Sequence, residues 1–330
     1  MSDDNVEKKE KTHPEYAYLD VLRTVMEKGE VRTTRNGRTR SLFSLKMDFS
    51  LSGKNGEPII PLLTTKRVFW KGILKELLWF LRGETDACKL SAEGVKIWNG
   101  NSSREALDAK GLVDYAEGDC GPIYGYQWRH FGAQYHGPGQ TPLGEGIDQL
   151  GNCIELLKTE PMSRRIFMSA WNPMDLDKMC LPPCHVSYQF YVKGFGEESE
   201  GDANGNGGNG EKGEEKKKRG KLCCLMNQRS ADLFLGIPFN IASVSLMTHI
   251  MACLTDLEPG EISIITGDAH IYEDHWGVVR EQLERTPIQD GFPRIAIQNR
   301  GQGAVEDFEA DDFILSGYQC HSLLYGKMAV

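Results

Sequence analysis

A fold that mixes helices with β-strands is what this 330-residue sequence predicts, and three patterns carry it. Residues 70–81 (WKGILKELLWFL) repeat apolar side chains at helical spacing, residues 186–192 (VSYQFYV) alternate as a strand does, and residues 222–228 form a second strand-like run. The two runs pair as an antiparallel hairpin.

Composition bounds the class. A chain with 40% hydrophobic residues can bury a sizeable core, as one large domain or two ordinary ones. No apolar run approaches a membrane span, and the charged stretch 1–11 is not followed by an apolar one, so secretion is not expected. Nine cysteines, an odd number without a disulfide framework, read as reduced thiols in a cytoplasmic or nuclear compartment. The formal charge of −9 argues against a sequence-independent grip on nucleic acid, while a local group of arginines can still hold one phosphate.

Residues 1–13 are polar and charged and read as a disordered arm; the core begins at Pro14. In 70–81 the apolar positions 73, 74, 77, 78 and 81 define the buried face, and Lys71, Lys75 and Arg82 share a stripe expected to meet solvent. Glu76 lies off that stripe. Its neighbours three and four residues away are Gly72, Ile73, Trp79 and Phe80, so it is either a partly exposed edge glutamate or a carboxylate on an apolar flank, whose raised pKa suits proton transfer near neutrality. The tract 194–221, rich in Gly, Asn, Glu and Lys, cannot offset its ordering entropy and reads as a solvated insertion at the hairpin tip. If Lys193 and Lys221 close the hairpin, counting places Cys184 opposite Ser230 and His185 opposite Arg229, within a residue or two. Residues 240–254 form a second, more apolar helix after the turn 236–239, and a short strand, 262–265, leads into GDAHIY, which sets His270 and Tyr272 two apart.

Pro183-Cys184-His185 stands at the mouth of the first hairpin strand. A cysteine is a strong nucleophile only as thiolate, which requires nearby positive charge or a base; Arg164, Arg165 and the run Gln228-Arg229-Ser230 offer that charge. A zinc deaminase signature fails on spacing, because Ser187 stands where the second cysteine belongs and two prolines separate Cys180 from Cys184. No metal is expected. A cysteine hydrolase needs an oriented base, and His185, next along a strand, is expected on the opposite face from Cys184. Thiolate addition to a pyrimidine ring, with arginines on its phosphate and an amide on its base edge, agrees with the most signals.

These residues carry a resemblance. LLTTKRVFWKGILKELLWFLRGET (62–85), IWNGN (97–101), GPIYGYQWRHFGA (121–133), RRIFMSAWNP (164–173), LPPCHVSYQFYV (181–192), QRSADLFLGIPFNIAS (228–243), GDAHIYEDH (267–275) and KMAV (327–330) are similar, in order, to the thymidylate synthase family. The likeness covers 14–330 apart from the insertion. It implies a single α+β domain with a large, mixed, twisted sheet packed by helices on one face, the other face meeting a second copy in a homodimer. It implies reductive methylation of dUMP to dTMP, with 5,10-methylenetetrahydrofolate as one-carbon donor and reductant. Cys184 would add to carbon 6 of uracil, Glu76 and Tyr124 would serve proton transfer, and Asn240 would read the base edge. An aspartate there would instead suit the related deoxycytidylate hydroxymethylase. Arg229 and Ser230 would bind the phosphate within the subunit, Arg164 and Arg165 from the neighbouring one; His185 and Gln228 join the nucleotide site, and His270 and Tyr272 would hold the sugar. Asp232 would pair with the pterin, between walls formed by Ile97, Trp98, Asn101, Leu181, Leu235, Gly236, Phe239, Met328 and Ala329, with Lys66 near the glutamate tail. The phosphate loop departs from the family pattern over 34–40; Arg35 is chosen there, with Arg32 and Arg38 as rivals.

Overall fold

The computed structural model describes residues 12–140, 144–195, 219–288, 291–298 and 303–328. Nearly all of the expected N-terminal arm and most of the 194–221 tract lie outside the described residues. In chain order the first elements are α1 (Tyr16–Lys28), β1 (Glu30–Thr34), β2 (Gly37–Ser50), α2 (Trp70–Leu81), α3 (Ala87–Ala92), α4 (Asn99–Ser102), α5 (Arg104–Ala109), α6 (Tyr124–His130) and α7 (Gln149–Thr159). They are followed by β3 (Phe167–Ser169), β4 (His185–Lys193), β5 (Lys221–Asp232), α8 (Gly236–Leu254), β6 (Glu258–Tyr272), α9 (Trp276–Glu284), β7 (Arg294–Ile297) and β8 (Phe313–Ser316).

One six-stranded sheet, ordered β1-β2-β6-β5-β4-β3, organises the single α+β domain. It is mixed: every neighbouring pair is antiparallel except β5 and β6, which run parallel across the α8 crossover. Met47, Phe49, Tyr188, Phe190, Met226, Ile262 and Ile264 bury one face of the sheet, and α8 and α1 pack against it. Because α8 is covered on all sides, it is apolar all round rather than amphipathic. At 19 residues and a mean hydropathy of 1.5 it is long and apolar enough to cross a membrane, against the expectation that no run approaches a span; 83% of that stretch is buried inside the domain. The helix also starts earlier than the sequence suggests, at Gly236. The turn containing Pro238 is its first turn, where the missing N–H costs nothing.

The hairpin of β4 and β5 forms as expected and closes with Lys193 opposite Lys221. Its register holds down to Ser187 opposite Asn227, then a β-bulge between His185 and Ser187 shifts it by one, leaving His185 opposite Gln228. Cys184 therefore meets Arg229, whose N–H donates to the Cys184 carbonyl at 2.9 Å, rather than Ser230. The strand expected at 262–265 is the middle of a much longer β6, which continues through His270 and Tyr272 because β2 and β5 pair with it on both sides.

Helix α2 has the expected bounds and buried face. Of its basic stripe only Lys71 is exposed: Lys75 pairs with Glu93, and Arg82 reaches Glu309 and the carbonyls of Glu306 and Phe308. The stripe is a docking strip for neighbouring segments. Upstream of α2, the fully buried carboxylate of Glu15 accepts four hydrogen bonds of 2.6–3.0 Å from the N–H and hydroxyl groups of Thr64 and Thr65. It ties the start of α1 to the segment leading into α2. Hydrogen bonds to a charged group contribute about 1.5–3 kcal/mol and orphaned donors cost more, so Glu15→Ala is expected to lower unfolding free energy by roughly 3 kcal/mol in urea titrations.

Candidate active site

A cavity of about 1050 Å³ opens where the C-terminal ends of β5 and β6, the N-terminus of α8 and the start of β4 meet. A parallel strand pair with its crossover helix leaves such a crevice beyond the strand ends. Cys184 and His185 border it from β4's start, Gln228, Arg229, Ser230 and Asp232 from β5, and Leu235, Gly236, Phe239 and Asn240 from α8 and its lead-in. His270 and Tyr272 close one side; Glu76, Ile97, Trp98, Asn101, Tyr124 and Leu181 close the other, with Met328 and Arg35 at the edges.

The Cys184 main chain is fixed by Tyr124, whose hydroxyl accepts the Cys184 N–H at 2.7 Å. Burial pushes the thiol above its ordinary range, while the Arg229 guanidinium and a hydrogen bond from Tyr124 act in the opposite sense. Arg229 is held by the carbonyls of Pro183 and Pro182, at 2.8 and 2.9 Å, and lies over Trp171. Its charge is thereby aimed at the Cys184 turn. Tyr124 itself has a positive φ of 20° and packs its ring on Phe80, 4.9 Å between centroids. The next residue, Gly125, lets α6 approach α2 closely: a Cβ there would lie 2.2 Å from the Phe80 carbonyl oxygen.

Glu76 stands on the cavity wall with its Oε1 accepting the Trp98 indole N–H at 2.8 Å. Burial raises its pKa to about 7 in spite of that bond. The apolar flank therefore does what helical spacing anticipates.

Asn240 is oriented by its neighbours. Its Oδ1 accepts from Gln228 Nε2 at 3.0 Å, and its side chain also hydrogen-bonds His185. His185 borders the same cavity as Cys184, contrary to the alternation expected of a regular strand, because Cys184 lies in a bend ahead of β4 and is not one of its pleated residues. Its Nδ1 lies 3.0 Å from the Tyr188 hydroxyl, and burial lowers its pKa to about 4, so the ring is neutral at physiological pH. It is a buried, hydrogen-bonded ring on the cavity wall.

Asp232 Oδ1 accepts the N–H groups of Phe234 and Leu235 at 2.9 and 3.1 Å, which fixes the loop into α8. The His270 and Tyr272 rings meet edge to face at 5.2 Å. Asp268, which the sequence does not single out, also lines the cavity, taking Ser41 and Arg32 at 2.5 and 3.1 Å. Hydrogen bonding from His270 is the main cause that holds its carboxyl below the usual range. Its place in GDAHIY, two before His270, is the signal that could have found it.

Of the three rival arginines, Arg32 pairs with Asp268 and Arg38 with Glu273, while Arg35, at the β1–β2 turn, borders the cavity. Helix α5 adds Glu105, Ala106 and Ala109 to the wall, and Lys110 caps its end there; no motif marks them.

Lys66 lies elsewhere, and Arg164 and Arg165, expected to serve a neighbouring copy, do not line this cavity. Lys66 is buried behind the cavity wall, its Nζ donating to the Phe234 carbonyl and sitting 3.7 Å from that ring's centroid, and burial lowers its pKa to about 7. The structure does not bring it to the cavity surface. Arg164 and Arg165 are exposed and absent from this cavity; Arg165 instead lines a separate groove with Ile147, Leu156 and Phe167. Ala329 lies outside the described residues.

The thymidylate synthase family model matches residues 16–330. Thymidylate synthase of Saccharomyces cerevisiae is 47% identical over 322 residues, covering 97% of this chain and 98% of that protein. That of Candida albicans is 47% identical over 321 residues, covering 96% and 98%. The bifunctional dihydrofolate reductase-thymidylate synthase of Zea mays is 44% identical over 319 residues, which cover 96% of this chain and 55% of the maize protein. With nearly its whole length matched by the family model and by relatives at 44–47% identity, the chain belongs to the thymidylate synthase family.

Proposed function

We propose that the chain converts dUMP to dTMP by reductive methylation, with Cys184 as the nucleophile. The observation that carries this reading is the convergence of a thiol beside a guanidinium, a carboxamide, a raised-pKa carboxylate and a His–Tyr pair on one cavity. Its volume of about 1050 Å³ suits a nucleotide and a folate side by side. 5,10-Methylenetetrahydrofolate supplies the one-carbon unit and the hydride. The Cys184 sulfur adds to carbon 6 of uracil, which makes carbon 5 nucleophilic, and leaves again once the methyl group is formed. Asn240, held by Gln228 and His185, presents a donor and an acceptor to the base edge. Arg229, Ser230 and Arg35 take the phosphate, His270 and Tyr272 the sugar hydroxyl. Glu76 and Tyr124 handle the carbon 5 proton. Asp232 faces the pterin, with Asn101 beside it, between Ile97, Trp98, Leu181, Leu235, Gly236, Phe239 and Met328, apolar walls that suit a flat aromatic ligand. A reducing cytoplasm or nucleus suits nine cysteines, none joined in a disulfide.

A homodimer completes the site in this reading. The sheet face opposite the core presents Phe167, Gln189 and Leu225 side by side, with Tyr191 59% exposed next to them. Arg164 and Arg165, far from their own cavity, then reach the phosphate of the partner. Mixing Cys184→Ala with Arg165→Ala subunits, each nearly inactive alone, is expected to restore about a quarter of wild-type activity after random reassociation, because half the dimers carry one intact site. No recovery would rule out shared sites.

The primary test is direct: purified protein, dUMP and methylenetetrahydrofolate, with dihydrofolate followed by absorbance. Absence of dihydrofolate would sink the reading, and preferential hydroxymethylation of dCMP would reassign the substrate.

A further inference from the structure

We infer that His275 is a positioning residue, pinning the C-terminal segment against the cosubstrate side of the cavity; the inference rests on the assignment of that cavity to nucleotide and folate. His275 lies just beyond β6, three residues after Tyr272, with its side chain 1% exposed. Its Nε2–H donates to the Lys327 carbonyl at 2.9 Å, while Nδ1 is buried and has no partner among the described residues. The ring's hydrogen bonding is therefore directed to the C-terminal segment.

The same ring touches both halves of the site. It packs on Phe234 at 5.1 Å and meets Tyr272 edge-on at 6.0 Å. Phe234 belongs to the loop that Asp232 fixes; Tyr272 lines the cavity on the nucleotide side. The pinned segment itself borders the cavity through Gly326 and Met328. Gly326 is pressed against the two rings: a Cβ there would lie 2.7 Å from Phe234 Cε1 and 2.8 Å from His275 Nε2.

Upstream, Tyr318 and His321 tie this stretch to Leu63, Val68, Thr64 and Thr286, but beyond Leu324 little else holds it. Residues 317–328 form no helix or strand. Arg285 anchors Ser322, and Leu324 is buried at 7% exposure. From there to Met328 the bond to His275 is the one hydrogen bond among the described residues. Without it, Met328 loses its place on the wall while the nucleotide residues, which stand on β5, β6 and α8, keep theirs.

The test compares His275→Leu, His275→Gln and Gly326→Ala with wild type. In His275→Leu the KM for methylenetetrahydrofolate is expected to rise about tenfold, the equivalent of ~1.4 kcal/mol, with the dUMP dissociation constant changed less than about twofold. Carboxypeptidase trimming of the ligand-free protein should accelerate by a similar factor. Glutamine, which restores an N–H donor, should recover most of both effects. Gly326→Ala should reproduce the leucine pattern with the imidazole intact, so the test survives if the leucine variant folds poorly. Equal loss of affinity for both ligands, unchanged trimming, or failure of glutamine to rescue would overturn the inference. Trimming is measured without substrates, so it stands or falls separately from the reaction assignment.

Discussion

Cys184→Ala is expected to lower dTMP formation by about 10⁴-fold or more, the scale seen when a catalytic nucleophile is removed, while the protein still binds dUMP. Both halves follow from position. The thiol is on the cavity wall and contributes little to the core, whereas the Cys184 N–H to Tyr124 and carbonyl to Arg229 bonds are made by the backbone and survive the substitution. Rapid-quench turnover and equilibrium dialysis with dUMP separate the two. A variant retaining a tenth of wild-type turnover would dismiss Cys184 as the nucleophile.

Glu76→Gln is expected to reduce kcat by on the order of 10²–10⁴-fold, the usual contribution of a positioned acid–base group. It should also erase an inflection near pH 7 in the wild-type kcat profile, since burial places the carboxyl pKa at about 7. Stability moves the other way. The folded-state pKa is raised from 4.5, so below about pH 4.5 the group is protonated in both states and carries no penalty. Between about pH 4.5 and 7 the unfolded state ionises while the folded state keeps the carboxyl neutral, and stability is lost, by roughly 3 kcal/mol in all at about 1.4 kcal/mol per pKa unit. The glutamine variant should therefore be more stable than wild type at pH 8 and nearly equal to it at pH 4.5. Urea denaturation at both values checks this; equal differences at the two would refute a raised Glu76 pKa.

The pattern of what could be read in advance is physical. Helix α2 emerges with its bounds intact because a strong amphipathic period, propensity and packing all agree. Glu76 was legible for the same reason: a charge off the polar stripe is visible on the wheel. The hairpin was legible in pairing and in register from Lys193 opposite Lys221 down to Ser187, but not in the bulge beyond it, which leaves no periodic trace. His185 shows a related limit, for period-two alternation puts it away from Cys184, but Cys184 lies in a bend ahead of β4, where that alternation does not apply. Lys66 shows the opposite failure: resemblance places it beside a ligand, and the structure turns its ammonium inward to the Phe234 carbonyl. Lys110 and the α5 wall carried no spacing signal because their relation to the cavity is made by residues far away in sequence.

Residue chemistry and local periodicity were determined by the sequence alone: which segments carry a helical or strand period, and which carboxylate lacks a basic partner on its own helix. Those properties depend on neighbours within a few positions. Tertiary structure decided which side chains share one volume, that Arg35 rather than Arg32 or Arg38 borders it, and that the thiol lies opposite Arg229. These depend on strand register and on contacts between distant segments, where a one-residue shift redirects every side chain beyond it.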